Sequence, residues 1–230
     1  MSALGPRVLP ADSSRREILE AVASHLEGGG LLVYPTETVY GIGGAPTVPV
    51  VARIRELKER EEGRPFLLLI PDGGEWGLSW SAAAQVLAEA FWPGPLTLVL
   101  RDAAGRFPPG IRSEVGGVGV RVSPHPFLRA LAEVWTRPLV STSVNAPGGP
   151  PAQTAEEAAD WLSDRGAGED ILLLMDEVGD DSMMIPSTVV DCLGEVPVLL
   201  REGAVGLDAL RQVVPAVDRS PSGAPRRSRE

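Results

Sequence analysis

With 230 residues, 43% of them hydrophobic and 23% charged, the chain is large enough to bury most of its apolar surface as a single globular unit. Its 31 acidic against 21 basic side chains leave a net charge of −10, and residues 1–214 alone hold 29 acidic and 17 basic groups, net −12, which disfavours a broad nucleic-acid footprint but leaves room for a local cationic pocket. One cysteine (Cys192) and two histidines (His25, His125) exclude a zinc site and an intramolecular disulfide, and with no secretory h-region or bilayer-length apolar run the expected setting is soluble and cytoplasmic, with no membrane contact.

Helical and strand patterns alternate along the chain. Ser14-x-x-Glu17 has the form of a capping box ahead of Ile18, Leu19, Val22 and Leu26 at helical spacing, and Gly28-Gly29-Gly30 stops that helix. Leu31–Tyr34 predicts a buried strand that ends at Pro35 and leads into a loop through Gly44. A helix from about Pro49 sets Val50, Ile54 and Leu57 on one stripe and leaves Lys58 and Arg60 on a polar face. Phe66–Ile70 predicts a strand, Ser81–Phe91 an alanine-rich helix, Leu96–Leu100 and Gly119–Val122 strands, and Pro126–Val134 a helix opened by His125. Leu139–Ser141 follows as a strand, and Thr154-x-x-Glu157 opens a helix to Leu162. Ile171–Met175, Thr188–Asp191 and Val198–Leu200 are strands, with a short helix after Gly206. The pattern predicts α/β: an open, twisted, mixed sheet flanked by helices, in one domain over residues 1–214, with 215–230 as a disordered, Arg-containing tail.

The usual nucleotide and hydrolase signatures are absent: there is no P-loop, no Gly-x-Gly-x-x-Gly after a strand and no Gly-x-Ser-x-Gly elbow. Three other segments carry information. Tyr34-Pro35-Thr36-Glu37-Thr38-Val39-Tyr40-Gly41-Ile42-Gly43-Gly44 leaves a strand with hydroxyls, a carboxylate and glycines, which suits either a polar ligand or a plain turn. Lys58-Glu59-Arg60, with Arg64 beyond, contains the only lysine among 21 basic residues. A compact ammonium grips a phosphate or carboxylate oxygen differently from a planar guanidinium, although cations at a helix end also answer the helix dipole. Pro138–Pro150 runs from a strand into Ser141, Thr142, Ser143 and Asn145, again a ligand-facing strand end. Asp176, Glu177, Asp180 and Asp181 lack the spacing of a calcium loop and read as a solvated turn.

Together these segments resemble the threonylcarbamoyl-AMP synthase family, the YrdC-like proteins. The opening Pro-Thr-Glu-Thr-Val-Tyr-Gly-x-Gly is present with Ile42 for leucine, and the Lys-x-Arg and Ser-x-Asn pairs stand as Lys58/Arg60 and Ser143/Asn145. Trp92–Thr97, Val120–Val122, Pro186–Asp191 and Leu200–Ala204 also match in order, so the likeness covers roughly residues 14–210. The resemblance implies a YrdC-like fold with a concave ligand cavity and a nucleotidyltransferase reaction. L-Threonine, bicarbonate and ATP, with Mg2+, give threonylcarbamoyl-AMP and pyrophosphate. A downstream threonylcarbamoyl transferase then completes N6-threonylcarbamoyladenosine (t6A) in tRNA, so tRNA is an indirect partner. It also implies roles: Thr36, Arg121, Ser143 and Ser187 for L-threonine; Lys58, Arg60, Arg64, Asn145 and Arg201 for ATP; and Lys58, Arg60, Ser143 and Asn145 as the catalytic set, with no protein-bound metal.

The chain departs from the family pattern at Glu61 and Pro147-Gly148, at Leu69, where many members have histidine, and at Gly117, where threonine is common. The change at Leu69 implies weaker amino-acid affinity or altered selectivity, and Glu61 implies a less rigid loop over residues 61–64. A rival expectation is a non-catalytic tRNA- or double-stranded-RNA-binding module of the same fold. A third is a carbamoyl-phosphate-dependent adenylation, which in the family belongs to much longer chains.

Overall fold

The computed structural model describes residues 6–71, 76–168, 170–175 and 185–219. Its elements, in chain order, are β1 (Arg7–Pro10), α1 (Arg16–Glu27), β2 (Leu31–Tyr34), β3 (Gly41–Gly44), α2 (Val48–Leu57), β4 (Leu67–Leu69), α3 (Ala82–Phe91), β5 (Leu96–Arg101) and β6 (Gly117–Arg121). There follow α4 (Pro126–Val134), β7 (Leu139–Ser143), α5 (Ala155–Ser163), β8 (Ile171–Met175), β9 (Thr188–Asp191), β10 (Val198–Arg201), α6 (Leu207–Val213) and β11 (Asp218–Arg219). Among the described residues the strands form one mixed sheet in the order β1-β8-β2-β3-β7-β4-β6-β5-β9-β10-β11.

Strand alternation sorts the apolar side chains onto two faces. Leu31 and Val33, Leu68, Leu96 and Leu98, Val118 and Val120, and Ile171 and Leu173 all join one core, closed by Ile54 of α2, Leu87 of α3, Leu162 of α5 and Leu210 of α6. The opposite face splits in two. Leu32, Tyr34, Leu69, Leu139, Leu172 and Leu174 are roofed by Ile18, Val22 and Leu26 of α1 and by Phe127 and Leu131 of α4. Over β6, β5, β9 and β10 that same face carries no helix among the described residues, and there it forms the wall of a cavity.

Several sequence expectations change in the structure. The Ser14/Glu17 capping box does not form: Arg15 is the N-cap residue, and the Ser14 hydroxyl donates to Asp12 Oδ1 at 2.6 Å. The Thr154 cap does form, with its hydroxyl accepting from the Glu157 N–H at 3.1 Å, and the Glu157 carboxylate reaches back to the Gln153 N–H at 2.7 Å. The expected loop to Gly44 contains strand β3, which a glycine-rich run conceals from hydrophobic periodicity. Glycine is required there: a Cβ on Gly43 would lie 1.7 Å from the Val140 carbonyl oxygen, so β3 and β7 approach at a distance no side chain permits. The short β1 and β11 were also invisible to pattern. Because Asp218–Arg219 pairs with β10, the fold extends past residue 214; positions 220–230 of the expected tail, and the acidic turn at 176–181, lie outside the described residues.

Candidate active site

The cavity on the bare face measures about 530 Å³. Its wall takes Thr36 from the β2–β3 connection, Arg60 from beyond α2, Arg121 from the end of β6, Ser143 from the end of β7, Ser187 from just before β9 and Arg201 from the end of β10. Residues separated by up to 165 positions in sequence therefore face one space, because the sheet order interleaves distant strands.

Helix α2 ends in a turn that fixes the Lys58-x-Arg60 geometry. The Glu59 N–H donates to the Glu56 carbonyl at 3.0 Å and the Arg60 N–H to the Arg55 carbonyl at 3.1 Å, with Glu59 at φ +47. This is the pairing pattern of a Schellman turn, with glutamate where glycine is usual. It sends the two cations in different directions. Arg60 reaches the cavity, its Nη1 3.4 Å from Thr142 Oγ1, its Nη2 donating to the Pro65 carbonyl at 3.2 Å, and its guanidinium 4.9 Å from the Phe66 ring centre. Lys58 turns inward and is only 6% exposed, so its expected place on a polar helix face is wrong. Leucine-like burial won because the Lys58 Nζ finds oxygens inside: the carbonyls of Ser143 at 2.6 Å and Asn145 at 2.7 Å, and Asn145 Oδ1 at 2.5 Å.

Asn145 is fully committed by this arrangement. Its Oδ1 accepts from Lys58 and from Ser143 Oγ at 2.7 Å, while its Nδ2 donates to the carbonyls of Ala146 and Gly149, both at 3.0 Å. The two sequence pairs, Lys58/Arg60 and Ser143/Asn145, thus interlock, but Lys58 and Asn145 stand behind the wall rather than in it. Burial first, then the charges of Arg60 and Arg165, brings the Lys58 pKa down to about 7. Arg64 lies on the exposed 61–64 turn, outside the cavity lining, and gives its carbonyl to Arg60 Nε at 3.1 Å.

At the other end, Ser187 is buried, and its hydroxyl lies 3.0 Å from Thr97 Oγ1 and 3.3 Å from Arg201 Nη2. Thr36 lines the cavity, yet its hydroxyl is already engaged, donating to the Val39 carbonyl at 2.6 Å and accepting the N–H groups of Thr38 and Val39 at 3.1 Å. It shapes the turn that presents the segment to the cavity. Arg121 is buried; its Nε donates to the Gly94 carbonyl at 3.1 Å and its Nη2 meets the Glu37 carboxylate. Desolvation lowers its pKa to about 10, so the guanidinium stays charged at neutral pH.

Two departures from the family pattern also face this space. Leu69 is the register partner of Arg121 in the parallel β4–β6 pair and lines the cavity. Gly117 lies on the β6 face, where an added Cβ would come within 2.8 Å of Val99 Cγ1 and 3.1 Å of Leu193 Cδ1. Sequence reasoning gave no role to Thr97, Ser141, Asp191 or Glu37. A polar residue at alternate positions of an otherwise apolar strand, as in Leu96-Thr97-Leu98, was the available signal. The lone Cys192 is buried, and its thiol is pushed up to about 12, so it offers no nucleophile at neutral pH.

A mixed α/β sheet with one half-bare face presents guanidinium and hydroxyl groups to a single cavity, an arrangement suited to an anionic, polar ligand. Residues 24–203 match the Sua5/YciO/YrdC family, described as telomere recombination, and the chain belongs to that family. It is 32% identical over 196 residues to the threonylcarbamoyl-AMP synthase of Bacillus subtilis (strain 168), covering 84% of this chain and 55% of that protein. It is 37% identical over 179 residues to the threonylcarbamoyl-AMP synthase of Chromohalobacter salexigens, covering 76% of this chain and 91% of that one. The chain therefore spans about half of the first relative and nearly all of the second. In three dimensions it is similar to P. abyssi Sua5 complexed with L-threonine, with a TM-score of 0.81 at 30% identity over 95% of this chain and 63% of that chain.

Proposed function

We propose that this chain is a threonylcarbamoyl-AMP synthase, making threonylcarbamoyl-AMP and pyrophosphate from L-threonine, bicarbonate and ATP. The observation that carries this reading is the convergence of Arg60, Arg121 and Arg201 with Ser143 and Ser187 on one 530 Å³ cavity in an otherwise acidic chain. The relatives named above support it.

The chemistry needs no protein nucleophile. Threonine's amine attacks the carbon of bicarbonate and water leaves; a carbamate oxygen then attacks the α-phosphorus of ATP, and pyrophosphate departs. Such steps are accelerated by positioning and by cations placed where phosphoryl charge develops. Arg121 takes the amino-acid carboxylate, Ser143 and Ser187 offer hydroxyls to the same substrate, and Arg60 and Arg201 face the phosphates. Lys58 and Asn145 act from behind the wall, holding the Ser143 backbone in place, and magnesium arrives with the triphosphate as part of that substrate. Arg64, on the exposed turn, reaches the triphosphate only at the cavity mouth. The product passes to a separate transferase that forms t6A in tRNA.

The direct test is pyrophosphate release from MgATP with threonine and bicarbonate supplied separately and together. Release requiring both establishes the activity. No release from folded protein that still binds ATP rejects it and leaves a binding module. Arg60→Ala is expected to remove most turnover with the fold intact, and a near-normal rate would remove Arg60 from the phosphate role.

A further inference from the structure

We infer that Glu37 is the positioning residue that fixes Arg121 for the amino-acid carboxylate, an inference that rests on the synthase reading. Glu37 lies outside the cavity lining, whereas Arg121 lies in it. The contact joins Glu37 Oε1 to Arg121 Nη2, and both atoms are fully shielded from solvent. A ligand entering the cavity therefore has no route to that side of the guanidinium.

The brace has further parts. Glu37 Oε2 accepts from Ser123 Oγ at 2.8 Å, and Ser123 Oγ accepts from the His125 N–H at 3.2 Å. On the guanidinium, Nε is occupied by the Gly94 carbonyl at 3.1 Å. With Nε and Nη2 tied, rotation of the planar fork is blocked, and Nη1 is what remains to meet a substrate oxygen. Electrostatics requires the same partner. A guanidinium with 6% side-chain exposure, with Arg201 charged nearby, needs a compensating anion in the empty protein. Glu37 supplies that charge from behind, so the cavity side stays open for the substrate's own carboxylate. Leu69, beside Arg121 in register, offers no polar group to share the task.

The alternative geometry is a latch, in which Glu37 occupies the carboxylate site and must be displaced. The two make opposite predictions for Glu37→Gln, which keeps the shape and removes the charge. Under the brace, the KM for threonine rises roughly tenfold or more, as expected for losing a charge-assisted contact, with the change falling mainly on KM. Glu37→Asp restores part of it. In a double-mutant cycle, adding Glu37→Gln to Arg121→Ala does little further, because Glu37 acts through Arg121. A threonine KM that falls or stays unchanged in Glu37→Gln, or additive effects in the cycle, overturns the proposal.

A second readout separates this outcome from failure of the synthase reading. The Arg121 Nε–Hε resonance, assigned by its loss in Arg121→Ala, is expected to be sharp and exchange-protected in the unliganded wild-type chain and broadened in Glu37→Gln. If wild type shows the protected signal and Glu37→Gln loses it while neither protein binds threonine, the brace stands and the substrate assignment falls. An unaltered signal in Glu37→Gln rejects the brace whatever the activity.

Discussion

Burial and the charges of Arg60 and Arg165 pull the Lys58 proton off towards pH 7, whereas oxygens of Ser143 and Asn145 at 2.5 to 2.7 Å hold it on. The clasp donates three protons to three oxygens, so it exists only while Lys58 is an ammonium. Turnover is therefore expected to fall on the alkaline side with a midpoint between about 7 and the ordinary lysine value of 10.5, and a pH–rate profile flat beyond 10.5 would contradict it. Stability runs the other way. Across that window the unfolded chain binds a proton that the folded one has shed, so this group's contribution to stability rises with pH. Lys58→Ala also removes the Lys58 donor from the carbonyls of Ser143 and Asn145, while Asn145 Oδ1 keeps the Ser143 hydroxyl, at about 1–3 kcal/mol, which chemical denaturation would detect. Gly117 poses a packing question instead. Restoring the family's threonine there forces a side chain against Val99 and Leu193, so Gly117→Thr is expected to lower stability by about 1–3 kcal/mol, and Leu193→Ala in the same chain to relieve part of it. A more stable Gly117→Thr would show that the strand pair yields.

The end of α2 shows how an element carries a site. The Lys58-x-Arg60 spacing works because the Schellman turn points one cation into the clasp and the other into the cavity. Glu59 bears the left-handed φ of +47 that this turn demands, a conformation that costs a side-chain-bearing residue about 1 kcal/mol relative to glycine. Glu59→Gly is thus expected to stabilise the chain by about that amount with turnover retained, as thermal unfolding and pyrophosphate release would show. The amphipathic helices and buried strands were legible from periodicity, since α4, β8 and β9 have the boundaries the pattern gives. β3 was not, because glycines carry no hydrophobic signal, and its glycines matter for what crosses them. The Tyr34 ring passes over Gly41 and Gly43, and its hydroxyl donates to Ser141 Oγ on β7 at 2.7 Å. The motif residues of the site were readable as motifs. That Lys58 and Asn145 form its back wall was not, because burial of a lysine depends on oxygens 85 and 87 residues away.

At the scale of the whole molecule, among the described residues helices cover one sheet face and half of the other, and the remainder forms the cavity wall. Nothing in that division requires RNA. With net −12 over residues 1–214, tRNA affinity in the absence of ATP is expected to be weak at physiological salt, and tight, steeply salt-dependent binding would revive the RNA-module reading. The same contrast between arginines in the cavity and a net acidic chain bears on how a triphosphate would reach the proposed site. Beyond about 10 Å in 0.1 M salt a triphosphate is screened from the body's charge, but at lower ionic strength it approaches a molecule of its own sign. Added salt should then speed nucleotide capture while loosening the grip of Arg60 and Arg201 once it has arrived. Stopped-flow traces would show association and dissociation rates rising together with ionic strength, the reverse of electrostatic steering for the first and its usual signature for the second. The enclosing charge would thus act as a gate on entry, felt before any contact is made.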